Sequence, residues 1–467
     1  MGTSIKTKSF SAIWLLSFCL ALWSCQVDWL DVKRSKSDVM PSSLADLQAV
    51  MDNNLVVNTS YPMMGLVGSD NIYIPDERLG QAAIKERNAY LWKADIYQGG
   101  SAAEFSGPNQ KIAYANIVLE RLDLTAETDN KLVYDNIKGQ ALFLRAYALH
   151  TLAQLFCKPY NTASAGVDAG LQIRQVSDPN QKTGRSLVAD TYQSIIDDAT
   201  SAFRLLPENS LYTTRSCKAA AAGLLARVYL NMSDFEKALE WADAALETRS
   251  GLLDFNTIEK GEHGIFAFPA YANKHQNTEI IFYAEGSTGA ASYGGNGVSF
   301  VDTCLFSAYH GNDLRKALYF SENANGLFEP TGSYTGDISA FYGIATNEIY
   351  LIKAECLARL RQHQAGVQLL NDLLVRRFLA GKYVPFVATD MQSALKKILE
   401  ERRKELAFYG HARWSDLRRL NLESVFAKTL KRLNGGVAFE LAPNEQRYVL
   451  PFPDLEIQLS GISQNPR

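Results

Sequence analysis

Apolar residues recur at helical spacing along most of the chain and lose that spacing in one long stretch past its middle. Leu44, Leu47 and Val50 fall on one face of a short helix over 43–55, with Ser42 or Ser43 placed to cap it. A Gly- and Pro-rich loop, "TSYPMMGLVGSDNIYIPDERLG", follows. Ile112, Ala115, Leu119 and Leu122 predict a second helix over 109–122. The third, over 129–156, is free of strong breakers, and its apolar residues run nearly all the way round from Ala141 to Phe156, which predicts a central, buried helix. The segment "SLVADTYQSIIDDATSAFRLLPE" keeps Ile195, Ala199 and Phe203 in register, opens on Ser186 and stops at Pro207.

The next stretch, "RSCKAAAAGLLARVYLNMSDFEKALEWADAALET", reads as a self-contained helix pair. Leu225, Ala226 and Tyr229 mark its first helix, "NMSDF" the turn, and Ala238, Ala242 and Ala245 the second. These intervals are those of a tetratricopeptide repeat, in which small residues let two helices approach closely and an aromatic fills the gap. A looser copy covers 347–377, with Ala354 and Leu357 before its turn and Ala365 and Leu369 after it. The helices around 139–156 and 191–206 supply a further pair. The predicted fold is therefore mainly α, with about four such pairs packed against an irregular, loop-rich region containing short strands. That region is the insertion at about 252–346, where Gly, Ser, Asn and aromatics replace the helical pattern and "EIIFYA", 279–284, reads as a strand.

The N-terminal pattern differs again. Lys6 and Lys8 precede an apolar run from Phe10 to Trp23. At about 14 residues it has signal-peptide length and falls short of the roughly 20 needed to span a bilayer. Leu22 stands three residues before Cys25 and Ser24 one before it, as in a bacterial lipoprotein cleavage site. The expectation is an exported chain, with leader 1–24 and a single domain 25–467 beginning on an acylated Cys25; the bland alternative is a non-lipidated leader. Cys19 is a poorer acceptor because the bulky Phe18 precedes it. Several acyl chains, at about 0.8 kcal/mol per buried methylene, would hold the domain at a membrane without any embedded segment.

Composition narrows the reading. Hydrophobic residues make up 47%, charged residues 21%, and the formal net charge is −3, which offers nucleic acid no electrostatic footing. Cys157, Cys217, Cys304 and Cys356 are widely spaced without a CxxC pair, so neither a disulfide framework nor a zinc site is indicated. No histidines are spaced as HxxxH or HExxH, and the acids of "GSDNIYIPDE" lack the alternation of an EF-hand loop. No cofactor or metal is expected.

The densest pattern is "ALKKILEERRKELAFYGHARWSDLRRLN", 394–421, the start of a C-terminal segment running to 467. Leu395, Ile398, Leu399, Arg402 and Leu406 fall at helical spacing. Glu400, Glu401, Arg403 and Glu405 could be read as an acid–base site. The alternative is an ion-pair network that fixes a neighbouring loop. His411 has no serine, cysteine or acid at motif spacing and reads as a positioned structural residue.

Together, Cys25 followed by "DWLDVKRS", the segments "KGQALFLRAYALHTLAQLF", "NEIYLIKAECLARL" and "ERRKELAFYGHARWSDLRRLN", and the ending "YVLPFPDLEIQLSGISQNP" resemble the SusD/RagB family, in the order that family shows. The resemblance implies a non-catalytic, lipid-anchored, surface-exposed binding protein of the outer membrane. Its expected partner is a SusC-like TonB-dependent transporter, to which it would deliver an oligosaccharide ligand. Other readings are a peptide-binding importer lid of RagB type, a repeat scaffold that binds other proteins, and an exported hydrolase. A sugar ring stacks its C–H face on an aromatic side chain, and its hydroxyls need polar partners to replace water. The loops offer Asp70, Asn71 and Tyr73, and in the insertion Tyr293, Asn296 and Tyr334. Each is equally readable as a loop residue without a ligand. Trp92, Trp241 and Trp414 lie in helical or motif context, where core packing is expected.

Overall fold

The Ser43 hydroxyl accepts the Asp46 amide while the Asp46 carboxylate accepts the Ser43 amide, so the first helix, α1 (Leu44–Met51), opens on a capping box. The computed structural model describes residues 41–124, 130–259, 267–269, 277–289, 291 and 297–467. Cys25 and the leader fall outside them. Residues Ser43–Arg467 form one unit.

Two long helices follow, α2 (Ala103–Leu124) and α3 (Lys131–Phe156). The sequence pattern placed the start of α2 after Pro108, yet the helix begins six residues earlier. Proline forfeits one backbone hydrogen bond and crowds the carbonyl four residues back, a cost the helix tolerates here because Phe105 and Pro108 are buried. On α3 every residue from Gly139 to Phe156 is buried except Arg145, as its all-round apolar pattern predicted. Arg145 instead grips Asp198 of α4 (Val188–Leu205) through two hydrogen bonds of 2.7 and 2.8 Å. α1, α2 and α3 enclose a small core around Leu47, Ala115, Val118, Ile137 and Ala141.

The helix pair α5 (Lys218–Asn231) and α6 (Phe235–Thr248) follows the repeat pattern closely. Ala238, Ala242 and Ala245 are fully buried, Ser233 makes the turn at φ 61°, and the Asp234 side chain caps α6 through the Lys237 amide. α7 (Thr346–Arg359) and α8 (His363–Leu374) form the second clear pair, one residue out of the predicted phase. Ala365 is exposed; Gly366, Val367 and Leu370 face inward. A Cβ on Gly366 would stand 2.5 Å from the Ala354 carbonyl oxygen, so glycine sets how closely the two helices approach.

The stretch between these pairs forms short antiparallel ladders, one of them with a strand from the loop ahead of α2. β1 (Ile72–Tyr73) pairs with β3 (Phe300–Val301), β2 (Ile280–Phe282) with β6 (Ile344–Ala345), and β4 (Phe320–Glu322) with β5 (Phe328–Pro330). Near the C-terminus β7 (Leu430–Asn434) and β8 (Val437–Leu441) form a hairpin with Asn434 opposite Val437. Its two-residue turn, Gly435–Gly436, has φ of 57° and 76°, both in the left-handed region that glycine enters at no steric cost.

The charged helix α9 (Met391–Glu405) buries four of its eight acids and bases, Glu401, Arg402, Lys404 and Glu405. Arg315 is fully buried and donates to Glu401 at 2.7 Å and Glu405 at 3.1 Å; Arg377 donates to Glu405 at 2.9 Å and to Glu279 at 2.7 Å. Removing one partner from such a network strands a buried charge and costs about 3–5 kcal/mol. A second cluster joins Arg419 of α10 (Ala412–Leu420) to Glu355 and Asp416, and Arg402 to Asp416. Cys157, Cys217 and Cys356 are buried free thiols, each pushed up in pKa by that burial, while Cys304 is exposed.

Candidate functional site

The loop ahead of β1 is held from below by charge. Burial by itself would raise the Asp70 carboxyl, but Arg413, then Arg403 and Lys428, outweigh it and hold the group well below the usual carboxylate range. Arg413 donates through Nε at 2.6 Å and Nη2 at 2.9 Å, and the Lys428 ammonium lies at 2.7 Å. Next to it Asn71 is fully buried, donating to the Ala407 carbonyl at 2.8 Å and accepting from Arg403 Nε at 2.9 Å. The inward face of "EERRKEL" therefore pins the loop from which β1 emerges, while Glu400 points to solvent.

β1 alternates accordingly. Ile72 is buried and Tyr73 is 40% exposed at the mouth of a cleft of about 660 Å³. Partial burial, then Tyr90, Glu77 and Asp76, raise the Tyr73 phenol, so its hydroxyl stays protonated and can donate. Tyr90, Trp92 and Arg432 line the same cleft, with the guanidinium 3.7 Å from the Tyr90 ring centroid and 4.4 Å from that of Trp92. Burial lowers Arg432 to about 10. The guanidinium also donates to the Tyr90, Val67 and Ser69 carbonyls, which ties the hairpin strand β7 to the loop before β1. Asp76 accepts from Asn434 Nδ2 at 3.0 Å and from the Gly435 amide at 2.7 Å, so the hairpin turn is fastened to the other side of the loop. Lys428, Lys431, Glu77 and Asp302 complete a rim with both donors and acceptors.

Of the residues picked from the sequence, Asp70 and Tyr73 meet in this cleft and Asn71 lies directly beneath it. Tyr334 does not join them. It is 2% exposed, and its hydroxyl donates to Glu279 at 2.5 Å, completing the buried Arg377 network. The expectation of a loop side chain free to meet a ligand fails for Tyr334 because the insertion folds back over the core here. Tyr293 and Asn296 lie outside the described residues. Trp92 and Trp414 are buried as expected, and Trp241 packs edge-on against Phe203 at 5.1 Å. His411 is buried, which lowers its pKa well below the ordinary histidine value and keeps the ring neutral against Tyr342. The cleft residues that the sequence pattern did not single out, Tyr90, Asp302, Lys428 and Arg432, come from distant segments; the one local signal was the Asn-Gly-Gly turn between alternating strands.

Among the described residues no group of three or more His, Cys, Asp or Glu side chains could hold a metal ion, and no helix is long and apolar enough to cross a membrane.

Comparison with known proteins places this architecture. Residues 28–230 match a family model described as starch-binding associating with outer membrane, and residues 344–467 match the SusD family model. The chain belongs to the SusD/RagB family. It is 26% identical to SusD-like protein P2 of Formosa agariphila, over 74% of this chain and 76% of that protein. Among solved structures, it resembles a putative sugar binding protein from Bacteroides vulgatus, with TM-score 0.73 and 22% identity over 92% of this chain and 99% of that one. It also resembles a SusD superfamily protein from Bacteroides thetaiotaomicron, with TM-score 0.72 and 21% identity over 91% of this chain and all of that one. Members of this family are binding proteins associated with the outer membrane.

Proposed function

We propose that the protein captures an oligosaccharide at the cell surface in the Tyr73 cleft and delivers it to a TonB-dependent transporter barrel of SusC type, while Cys25 carries the lipid anchor. The observation that carries this reading is the exposed Tyr73 ring at the mouth of a cleft whose rim mixes cations, carboxylates and hydroxyl donors. A pyranose needs that combination, an aromatic face for its C–H surface and polar groups around the edge for its hydroxyls. Asp70 and Asn71 act as positioning residues for the strand that presents Tyr73; Tyr293 and Asn296 stay as candidate contacts from the insertion. The protein acts by binding, without catalysis: of the three carboxylates that invite an acid–base role, Glu401 and Glu405 are engaged in the core with arginines and Glu400 points to solvent.

The family descriptions support a saccharide over other ligands. A glycan array followed by calorimetry tests the ligand, and copurification from detergent-solubilised outer membrane tests the partner. Saturable binding of one glycan class and recovery of a stoichiometric barrel are expected. Binding confined to peptides would move the protein to an importer lid for peptides, and turnover of glycans by the pure protein would contradict the binding reading.

A further inference from the structure

The three cations that line the Tyr73 cleft are each answered by the protein itself. The Lys428 ammonium lies 2.7 Å from Asp70, and the Lys431 ammonium 2.7 Å from Glu440 on the facing strand of the hairpin. Arg432 donates to the Tyr90, Val67 and Ser69 carbonyls and stacks on the Tyr90 and Trp92 rings. An anion entering the cleft would have to compete with one of these arrangements for its counter-charge.

The acids of the cleft are engaged too, with one exception. Asp70 holds Arg413 and Lys428, and Asp76 accepts from Asn434 and the Gly435 amide of the hairpin turn. Asp302 accepts from the Cys304 and Leu305 amides at 3.0 and 3.1 Å, capping the helical turn Thr303–Ser307. Glu77 has no hydrogen-bond or ion-pair partner among the described residues. It is exposed, and it lies four residues after Tyr73 in the helical turn Asp76–Leu79 that follows β1. Its charge reaches the Tyr73 phenol: after partial burial and Tyr90, Glu77 and then Asp76 raise that group.

A ligand seated on the Tyr73 ring therefore meets an open carboxylate beside it, while every cation that lines the cleft is already paired or bonded. Sugar hydroxyls can donate to that carboxylate in charge-assisted hydrogen bonds. A sulfate ester or a uronate at the same place would meet like charge, the arrangement by which binding surfaces turn away wrong partners. We propose that the cleft selects uncharged saccharides over sulfated and uronic ones, and that Glu77 is the residue that sets this selection. The proposal rests on the reading of the Tyr73 cleft as a saccharide site; what it adds is the charge class of the saccharide and the side chain that reads it.

The test is a glycan array probed with the purified full chain in detergent, printed with neutral gluco-, manno-, xylo- and galacto-oligosaccharides, each beside its sulfated and uronic counterparts. Binding of one neutral series is expected, and calorimetry on its best member and that member's sulfated form should show a gap of at least ~10-fold. Glu77→Gln removes the charge and keeps the shape; it should close the gap to within ~3-fold, chiefly by tightening the sulfated form, and Glu77→Lys should invert it. Raising salt from about 50 to about 500 mM should narrow the gap for the native protein and leave it unchanged in Glu77→Gln, because exposed charges act only within the Debye length. Charged forms that bind as tightly as neutral ones, both weakened in Tyr73→Ala, would overturn the selection and leave saccharide capture standing. A gap that persists in Glu77→Gln would overturn the proposal as well. Silence across the array, or neutral binding indifferent to Tyr73→Ala, would overturn the reading beneath it and the proposal with it.

Discussion

Asp70 sits where three cations converge, and its neutralisation would leave the buried Arg413 without a full counter-charge. Asp70→Asn should therefore lower unfolding free energy by about 3 kcal/mol, read as a shift in the urea midpoint, because stranding a buried cation costs more than the lost pair returns. Tyr334 tests the opposite assignment. Its hydroxyl donates to Glu279 and accepts from Asn347 within the core. Tyr334→Phe should cost about 1–3 kcal/mol of stability and leave any saccharide affinity unchanged in calorimetry. A drop in affinity with unchanged stability would return Tyr334 to the binding surface. Asp70 and Asn71 could be found in the sequence as polar loop residues, but their downward orientation could not, since the arginines that turn them lie more than 300 residues away, a separation only the fold closes.

Element by element, the helices were legible because each carries its own periodicity. α3 reads as buried on all sides, and α5 and α6 show the alanine spacing of a repeat. The phase of α8 was misread because Ala365 and Gly366 are both small, and only the Ala354 carbonyl shows which must lack a Cβ. Gly366→Val should accordingly lower stability by about 1–3 kcal/mol, measured by urea titration, whereas Ala365→Val on the exposed face should move it by less than about 0.5 kcal/mol. Equal effects would show that the helices do not pack as described. The short ladders left little trace: β1 and β3 have two residues each and are joined across more than 200 residues of chain, so no local alternation announces them. The β7–β8 hairpin did carry a signal, the Gly-Gly turn, and it is this hairpin that walls the Tyr73 cleft.

At the scale of the whole molecule, buried ionisable groups tie stability to pH. Burial would raise Glu355 and Glu401, but Arg419 and Arg359 around the first, and Arg315 and Lys404 around the second, bring both to about 2 against an ordinary 4.5. Carboxylates held down in the folded state contribute stability that is complete above their unfolded pKa and lost as pH falls from about 4.5 towards 2. His150, lowered to about 3 by burial and then by Arg227 and Arg418, acts in the same direction from a higher start: the unfolded chain takes up a proton below about 6.5 that the folded chain refuses. The urea midpoint should thus decline from pH 7 and fall more steeply below about 4.5; a flat profile would contradict the buried network. The central claim, that a saccharide is captured at Tyr73, is tested most directly by calorimetry of the full chain with a glycan identified on an array, alongside Tyr73→Ala and Tyr73→Phe. The account predicts about ten-fold weaker binding for the alanine variant, near-native binding for phenylalanine, which keeps the stacking face, and an unchanged urea midpoint for both. Native affinity in Tyr73→Ala would contradict it.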